Sequence, residues 1–93
     1  FSTPEIRLNT ESDEEKFKIT KKAIDHFSSN YKCNLIDGVK ILFEDGWGLI
    51  RASNTQPVIV CRFEAKNEER MIEIKNTIMD KLFQFGELKF EEW

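Results

Sequence analysis

Four stretches of the chain carry signals of β-strands. In Glu5–Asn9 and in Val39–Phe43, apolar side chains recur at every second position, which is the period of a half-buried strand. Val58–Ala65 is a longer apolar run whose alternate side chains would point to opposite faces of a sheet. These patterns predict three strands, and the fourth follows from a turn signal.

That turn signal is Asp45-Gly46, directly after the second strand. The dipeptide is typical of a tight hairpin, because Gly adopts the positive φ that such turns require. We therefore expect the chain to reverse here and to form a return strand from Trp47 to about Ala52. Strands joined by a hairpin pair antiparallel.

Two segments repeat apolar residues at helical spacing. The first opens with a capping box formed by Ser12 and Glu15, and we expect it to end near Ser28 or Ser29. Asn67 is expected to cap the second helix. The predicted apolar faces are Phe17, Ala23, Ile24 and Phe27 in the first helix and Met71, Ile74, Ile78 and Leu82 in the second. The lysines expected on the solvated side of the first helix are Lys16, Lys18, Lys21 and Lys22.

The resulting order is β-α-β-β-β-α. It predicts an α+β two-layer sandwich, with an antiparallel four-stranded sheet and two helices on one face, similar to the TATA-box-binding-protein fold. We expect residues 1–4 to be an interdomain hinge or linker and residues 5–93 to be one domain. Residues 29–38 are predicted to be a polar loop, and Glu87–Trp93 a tail with room for one short strand.

Composition narrows the classes of function. The chain of 93 residues has a formal net charge of -3 and a pI near 5.2, whereas nucleic-acid-binding domains are usually basic. No apolar run approaches the ~20 residues of a membrane span. The chain begins with Phe1 and shows no signal-peptide pattern, so we expect a piece of a longer cytoplasmic protein. Cys33 and Cys61 fit no metal-binding spacing, and no disulfide is expected in a cytosolic chain.

The chemically informative segment is Arg51-Ala52-Ser53-Asn54-Thr55. An Arg at a strand end offers a planar fork that matches two phosphate oxygens. The hydroxyls and amide that follow can donate to further oxygens, and consecutive N–H groups of a turn can form an anion-binding nest. The same residues are also common in solvated turns. Composition alone therefore leaves a phosphate cradle and a plain turn both open.

Three motifs resemble the C-terminal domain of the α-D-phosphohexomutases. They are DGVKI at residues 37–41, GWGLIRASNTQP at 46–57 and RFEA at 62–65, and their order and spacing agree with the family pattern. Residues 2–5 are similar to the family's connection between its third and fourth domains. Many members have Gly in place of Asn54 and Glu in place of Gln56. The form found here is more similar to the bacterial phosphomannomutase/phosphoglucomutase branch than to the phosphoglucosamine mutases.

The resemblance implies a role as one of four domains around a cleft. In such enzymes a phosphoserine of the first domain donates its phosphoryl group to a hexose phosphate, and a hexose 1,6-bisphosphate intermediate returns the other one. The second domain holds Mg²⁺, the third reads the sugar, and the fourth holds the phosphate that is not reacting. Residues implied for that last role are Arg51, Ser53, Asn54 and Thr55.

No catalytic residue, metal ligand or cofactor is expected within this domain. The implied partners are a mannose or glucose 1- or 6-phosphate and the other three domains of the parent chain, with no nucleic acid and no membrane. A free-standing α+β binding or dimerisation module without an enzymatic role is the alternative. Weak binding of phosphosugars without binding of oligonucleotides would distinguish the mutase domain from a nucleic-acid-binding module.

Overall fold

The computed structural model describes residues 1–91. Both predicted helices and all four predicted strands are present, and two short edge strands accompany them. The elements are β1 Ile6–Asn9, α1 Asp13–Asn30, β2 Lys32–Asn34, β3 Val39–Phe43, β4 Gly46–Ala52, β5 Val58–Ala65, α2 Glu68–Leu82 and β6 Lys89–Phe90.

The six strands form one antiparallel sheet in the order β2-β3-β4-β5-β1-β6. The α+β class is confirmed, but the prediction of a four-stranded sheet was wrong. The four predicted strands are the central ones, and β2 and β6 add one edge each. The predicted loop 29–38 contains β2, and the predicted tail contains β6, while its last two residues lie outside the described part of the chain. The likeness to the TATA-box-binding-protein fold stays a prediction.

Both helices cover the same face of the sheet. Inward side chains of β3, β4 and β5 meet those of both helices in a single hydrophobic core. Glycines of β4 allow this close contact, because a Cβ at Gly48 would lie 2.3 Å from Cδ1 of Ile78. The most buried members of the core are Leu8, Ile19, Ala23, Phe27, Val39, Ile41, Ile50, Ile59, Cys61, Phe63, Ile74, Ile78 and Leu82. The opposite face of the sheet bears no helix among the described residues.

Helix α1 is rotated relative to the predicted apolar face. The Ser12 hydroxyl caps it by accepting from the Glu15 N–H at 3.1 Å, as predicted. Phe17, however, is 58% exposed, and Lys16, predicted to be solvated, is only 1% exposed. The buried stripe consists of Lys16, Ile19, Thr20, Ala23 and Phe27.

The hairpin between β3 and β4 forms, but its turn lies one residue earlier than predicted. Phe43 pairs with Gly46, so Glu44 and Asp45 are the turn residues. Gly46 does not adopt a positive φ. It is required for space, because a Cβ there would lie 2.4 Å from the carbonyl oxygen of Glu64. Arg70 of α2 donates to both Asp45 carboxylate oxygens at 3.0 Å and so fastens the turn.

The first residues of the chain run along β5. The Thr3 N–H donates to the Phe63 carbonyl at 2.9 Å, and the Thr3 hydroxyl accepts from the Phe63 N–H at 3.1 Å. Ser2 forms an isolated bridge with Glu64. This segment thus extends the β1–β5 pairing beyond Pro4. A rotation within residues 1–4 would break some of these bonds.

Candidate functional site

The predicted phosphate-binding residues lie at the end of the sheet opposite the β3–β4 hairpin. Strand β4 starts at that hairpin and ends at Ala52, so Arg51 is near its far end. Residues 53–57 connect β4 to β5. The turn between β2 and β3, residues 35–38, is at the same end because β3 runs antiparallel to β4.

Arg51, Ser53, Asn54 and Thr55 line one open cavity of about 340 Å³. The other residues that line it are Glu5, Arg7, Asp37, Ala52 and Val60. The side chain of Arg51 is 43% exposed, and its Nη1 donates to Oδ2 of Asp37 at 3.2 Å. A guanidinium has five N–H donors, so others are left for a ligand. The four residues selected from the sequence therefore share one concave site.

The Ser53 hydroxyl organises the loop from within. It accepts from the N–H groups of Thr55 and Gln56, each at 3.3 Å. The Ser53 N–H in turn donates to the Val58 carbonyl at 2.9 Å and closes the loop at its base. Because a hydroxyl both donates and accepts, Ser53 can hold the loop and still donate one proton to an oxyanion.

Polar groups of α1 and of Thr10, which directly follows β1, also hold the loop in place. The Lys16 ammonium donates to the carbonyls of Ser53 at 2.7 Å and Gln56 at 3.0 Å. The Thr10 N–H and hydroxyl both donate to the Pro57 carbonyl, at 2.8 and 2.9 Å. These bonds link the loop to segments about forty residues earlier in the chain.

Arg7 brings a second guanidinium to the cavity. Arg7 of β1 and Arg51 of β4 both pair with Val60 of β5, so the two arginines lie on the same sheet face on either side of one buried valine. Arg7 is engaged by the carboxylate of Glu91 at 2.5 Å and by the side-chain oxygen of Gln56. The Arg7 guanidinium is therefore used to hold the loop in place and is not available as a bidentate phosphate ligand.

A larger hollow of about 630 Å³ lies at the hairpin end, lined by Glu44, Asp45, Lys66 and Arg70. Carboxylates surround its arginine: Nε of Arg70 donates to both carboxylate oxygens of Asp45, and Glu44 also lines the hollow, so a phosphate here would face two like charges. This hydrogen bonding holds the pKa of Asp45 below its usual range. The hollow is therefore a poorer candidate for phosphate than the smaller cavity at Arg51.

Sites for a metal ion or a reactive thiol are absent from residues 1–91. No group of three His, Cys, Asp or Glu side chains converges there. The two cysteines are unbonded, and burial raises the pKa of Cys61 to about 12, so this thiol is a weak nucleophile at neutral pH.

Neither helix within residues 1–91 combines the length and the hydrophobicity that a membrane span requires.

Three residues that hydrogen-bond to the loop or to Arg51 were not predicted from the sequence as part of the site: Lys16, Asp37 and Arg7. A signal for Lys16 was present, because Ile19, Thr20, Ala23 and Phe27 lie three, four, seven and eleven residues after it on the same helical face. For Asp37 and Arg7 no local signal existed, since their partners are 14 and 49 residues away.

The fold and the site define a small α+β domain with a polar, arginine-bearing loop at one end of an antiparallel sheet. The family model described as "Phosphoglucomutase/phosphomannomutase, C-terminal domain" matches residues 5–81. The chain belongs to this family of C-terminal domains.

Relatives and a solved structure agree with this membership. The phosphomannomutase/phosphoglucomutase of Pseudomonas putida is 42% identical over 86 residues, which are 90% of this chain and 18% of that protein. A phosphoglucomutase of Neisseria meningitidis is 36% identical over 78 residues, covering 82% of this chain and 17% of that protein. The crystal structure of a phosphoglucomutase/phosphomannomutase family protein from Burkholderia thailandensis superposes with a TM-score of 0.72 at 29% identity, covering 95% of this chain and 19% of that one. The chain thus spans less than one fifth of the length of these proteins.

Proposed function

We propose that this chain is the substrate-phosphate-binding domain of a phosphomannomutase/phosphoglucomutase. The parent enzyme would interconvert hexose 1-phosphates and hexose 6-phosphates of mannose or glucose in the cytoplasm. The observation that carries the proposal is the convergence of Arg51 with Ser53, Asn54 and Thr55 on one open cavity, in a chain that belongs to this family.

The proposed reaction takes place outside this domain and is completed in two phosphoryl transfers. A phosphoserine elsewhere in the parent transfers its phosphoryl group to the free hydroxyl of the hexose phosphate, which gives a bisphosphate and a free serine. After the intermediate turns over, the other phosphoryl group returns to the serine and the isomeric monophosphate is released. Because phosphoryl transfer depends on positioning and charge stabilisation, the phosphate that is not reacting must be held firmly.

A loop that binds only the phosphate suits this task. Arg51 would place its fork on two phosphate oxygens, and Ser53, Asn54 and Thr55 would donate to the remainder. Such a loop does not recognise the sugar ring, so it can bind the phosphate at either end of the sugar in the two half-reactions. Asp37 would hold the Arg51 guanidinium in place by accepting a hydrogen bond from its Nη1.

The parent's Mg²⁺ does not fit this domain. Residues 1–91 offer no convergent set of carboxylate, imidazole or thiolate ligands, and we place the metal site and the phosphoserine in other parts of the parent chain. We likewise place the remaining partners of this domain, three further domains of the same polypeptide, upstream of residue 1. No binding of nucleic acid is proposed, in line with the acidic balance of the chain.

The decisive experiment is the substitution Arg51→Ala in the full-length parent. Loss of one member of a hydrogen-bonded charge pair costs about 2–4 kcal/mol, so kcat/KM should fall by about 30- to 1000-fold. Lys66→Ala is the matched control, because Lys66 is an exposed cation at the opposite end of the sheet. Near-normal kcat/KM in the Arg51→Ala enzyme would rule the proposal out.

A further inference from the structure

Lys16 is a fully buried lysine that belongs to no part of the hydrophobic core. Its side chain is 2% exposed, and its ammonium meets three acceptors: the carbonyl oxygens of Ser53 at 2.7 Å and Gln56 at 3.0 Å, and Oδ1 of Asp13 at 3.1 Å. An ammonium has three donors, so each proton is matched by one acceptor. Burial of a charge is costly unless it is paired and hydrogen-bonded, and here both conditions are met.

The two carbonyls belong to opposite ends of the loop that lines the proposed phosphate cavity. Ser53 begins the connection between β4 and β5, and Gln56 comes just before its end. One ammonium therefore ties the two ends together from the side of α1. Lys16 does not itself line the cavity, so it can act on a bound phosphate only through the loop.

The contact with Ser53 also fixes the direction of the next N–H group. In a trans peptide the C=O and the following N–H point in opposite directions, and residues 1–91 contain no cis peptide. Because the Ser53 carbonyl points at Lys16, the Asn54 N–H points away from Lys16. Asn54 lines the cavity, and its N–H finds no acceptor among residues 1–91, whereas those of Thr55 and Gln56 are directed at the Ser53 hydroxyl.

We propose that Lys16 is a positioning residue for phosphate binding, which holds the loop so that the Asn54 N–H is available to an anion. The inference rests on the proposed function of the loop. It adds a residue of the first helix to a site that the motif places entirely in residues 51–55. The interaction with Asp13 would orient the ammonium, while the two carbonyl contacts would carry the effect to the loop.

The test is Lys16→Met in the full-length parent, since Met fills similar space without donors. Without the Lys16 ammonium, the backbone of about one loop residue must be ordered each time the substrate binds. This entropic cost should raise KM for glucose 1-phosphate by about 5- to 30-fold. We expect kcat to stay within about threefold, because the non-reacting phosphate is bound in ground state and transition state alike. Hydrogen exchange of a peptide covering residues 52–58, measured by mass spectrometry, should become faster.

Two comparisons separate this role from a merely structural one. Lys18→Met, an exposed lysine of the same helix, should change neither KM nor exchange. Ile19→Val, a core substitution in α1, should lower the melting temperature while leaving KM within about twofold. If Lys16→Met does not yield a folded enzyme, Lys16→Gln, which keeps two donors on a shorter side chain, is measured in the same way.

The outcomes distinguish the two proposals. A raised KM in Lys16→Met together with a strong defect in Arg51→Ala supports both. A strong defect in Arg51→Ala with normal KM and normal loop exchange in Lys16→Met overturns the role of Lys16 alone. If Arg51→Ala is near normal, the loop does not bind the substrate phosphate, and both proposals fail.

Discussion

Arg51 of β4 and Asp37 of the β2–β3 turn are joined by a hydrogen bond of 3.2 Å between Nη1 and Oδ2. The turn can approach β4 this closely because Gly38 follows Asp37. Its φ is +70°, and a Cβ at this position would lie 2.2 Å from the Ile50 carbonyl oxygen and 3.0 Å from Cα of Arg51. A glycine thus places a carboxylate beside the guanidinium that is proposed to hold phosphate.

This pair makes Asp37 a positioning group whose effect should be modest. Exposed ion pairs contribute up to about 1 kcal/mol, so Asp37→Ala in the parent enzyme should lower kcat/KM by about two- to fivefold. Asp37→Asn keeps an oxygen acceptor for Arg51 and should be less harmful. Steady-state kinetics of both variants checks this. If Asn were as harmful as Ala, the charge of Asp37 rather than its hydrogen bond would be the important property.

Thr55→Ala should be milder than Arg51→Ala. A neutral hydroxyl contributes about 0.5–1.5 kcal/mol, which corresponds to a reduction of kcat/KM by about two- to tenfold in the parent. The reduction should be similar for glucose 1-phosphate and glucose 6-phosphate, because one loop must serve both ends of the sugar phosphate. A defect confined to one of the two substrates would contradict the shared use of the loop.

The 93-residue chain by itself should show no mutase activity. The proposed nucleophilic serine and metal site lie outside it, and residues 1–91 hold no convergent metal ligands. The assay mixes the chain with glucose 1-phosphate, glucose 1,6-bisphosphate and Mg²⁺ and follows glucose 6-phosphate against a blank without protein. Turnover that persists through repurification would show that the chain is not a phosphate-binding part of a larger enzyme.

Residues 1–4 are predicted to be the hinge about which this domain rotates in the parent. Domain closure requires a few backbone positions that absorb the rotation. The pairing of Thr3 with Phe63 and of Phe1 with Ala65 adds a condition, since a rotation within residues 1–4 would break at least part of this pairing. Crystal structures of the parent with and without sugar phosphate should differ by a rigid-body rotation of this domain. Equal domain angles in all forms would count against it.

Asp45 should stabilise the domain in a pH-dependent way. Its hydrogen bonds with Arg70 hold the pKa of the folded carboxyl below its usual value, so the stabilisation is complete at neutral pH. It is lost as the pH falls below about 4, through the depressed folded pKa. Asp45→Asn should therefore lower the melting temperature at pH 7, and the difference from the wild type should shrink in acid. Asp80→Asn, at an exposed position of α2, is the control and should show no such trend.

Local patterns were sufficient for much of this fold. Alternating residues located the central strands, and the side chains of Ser12 and Asn67 mark the helix starts because each accepts an N–H three residues on. Strand β2 was not predicted, and β6 was anticipated only as room for one short strand in the tail, since segments of three and two residues are too short to show a period. The hairpin was found but its turn was misplaced, because Gly46 is needed for contact with β5 and not for its own dihedral angle.

The sequence by itself determined the chemistry of the loop: an arginine at a strand end, followed by Ser, Asn and Thr. Only the tertiary structure decided what surrounds it. A lysine on a helix is solvated by default, and Lys16 is buried because Ser53 and Gln56, 37 and 40 residues later, supply the acceptors that its ammonium needs. Asp37 meets Arg51 because antiparallel pairing brings the start of β3 beside the end of β4. Such contacts depend on the register of distant strands, which no local pattern contains.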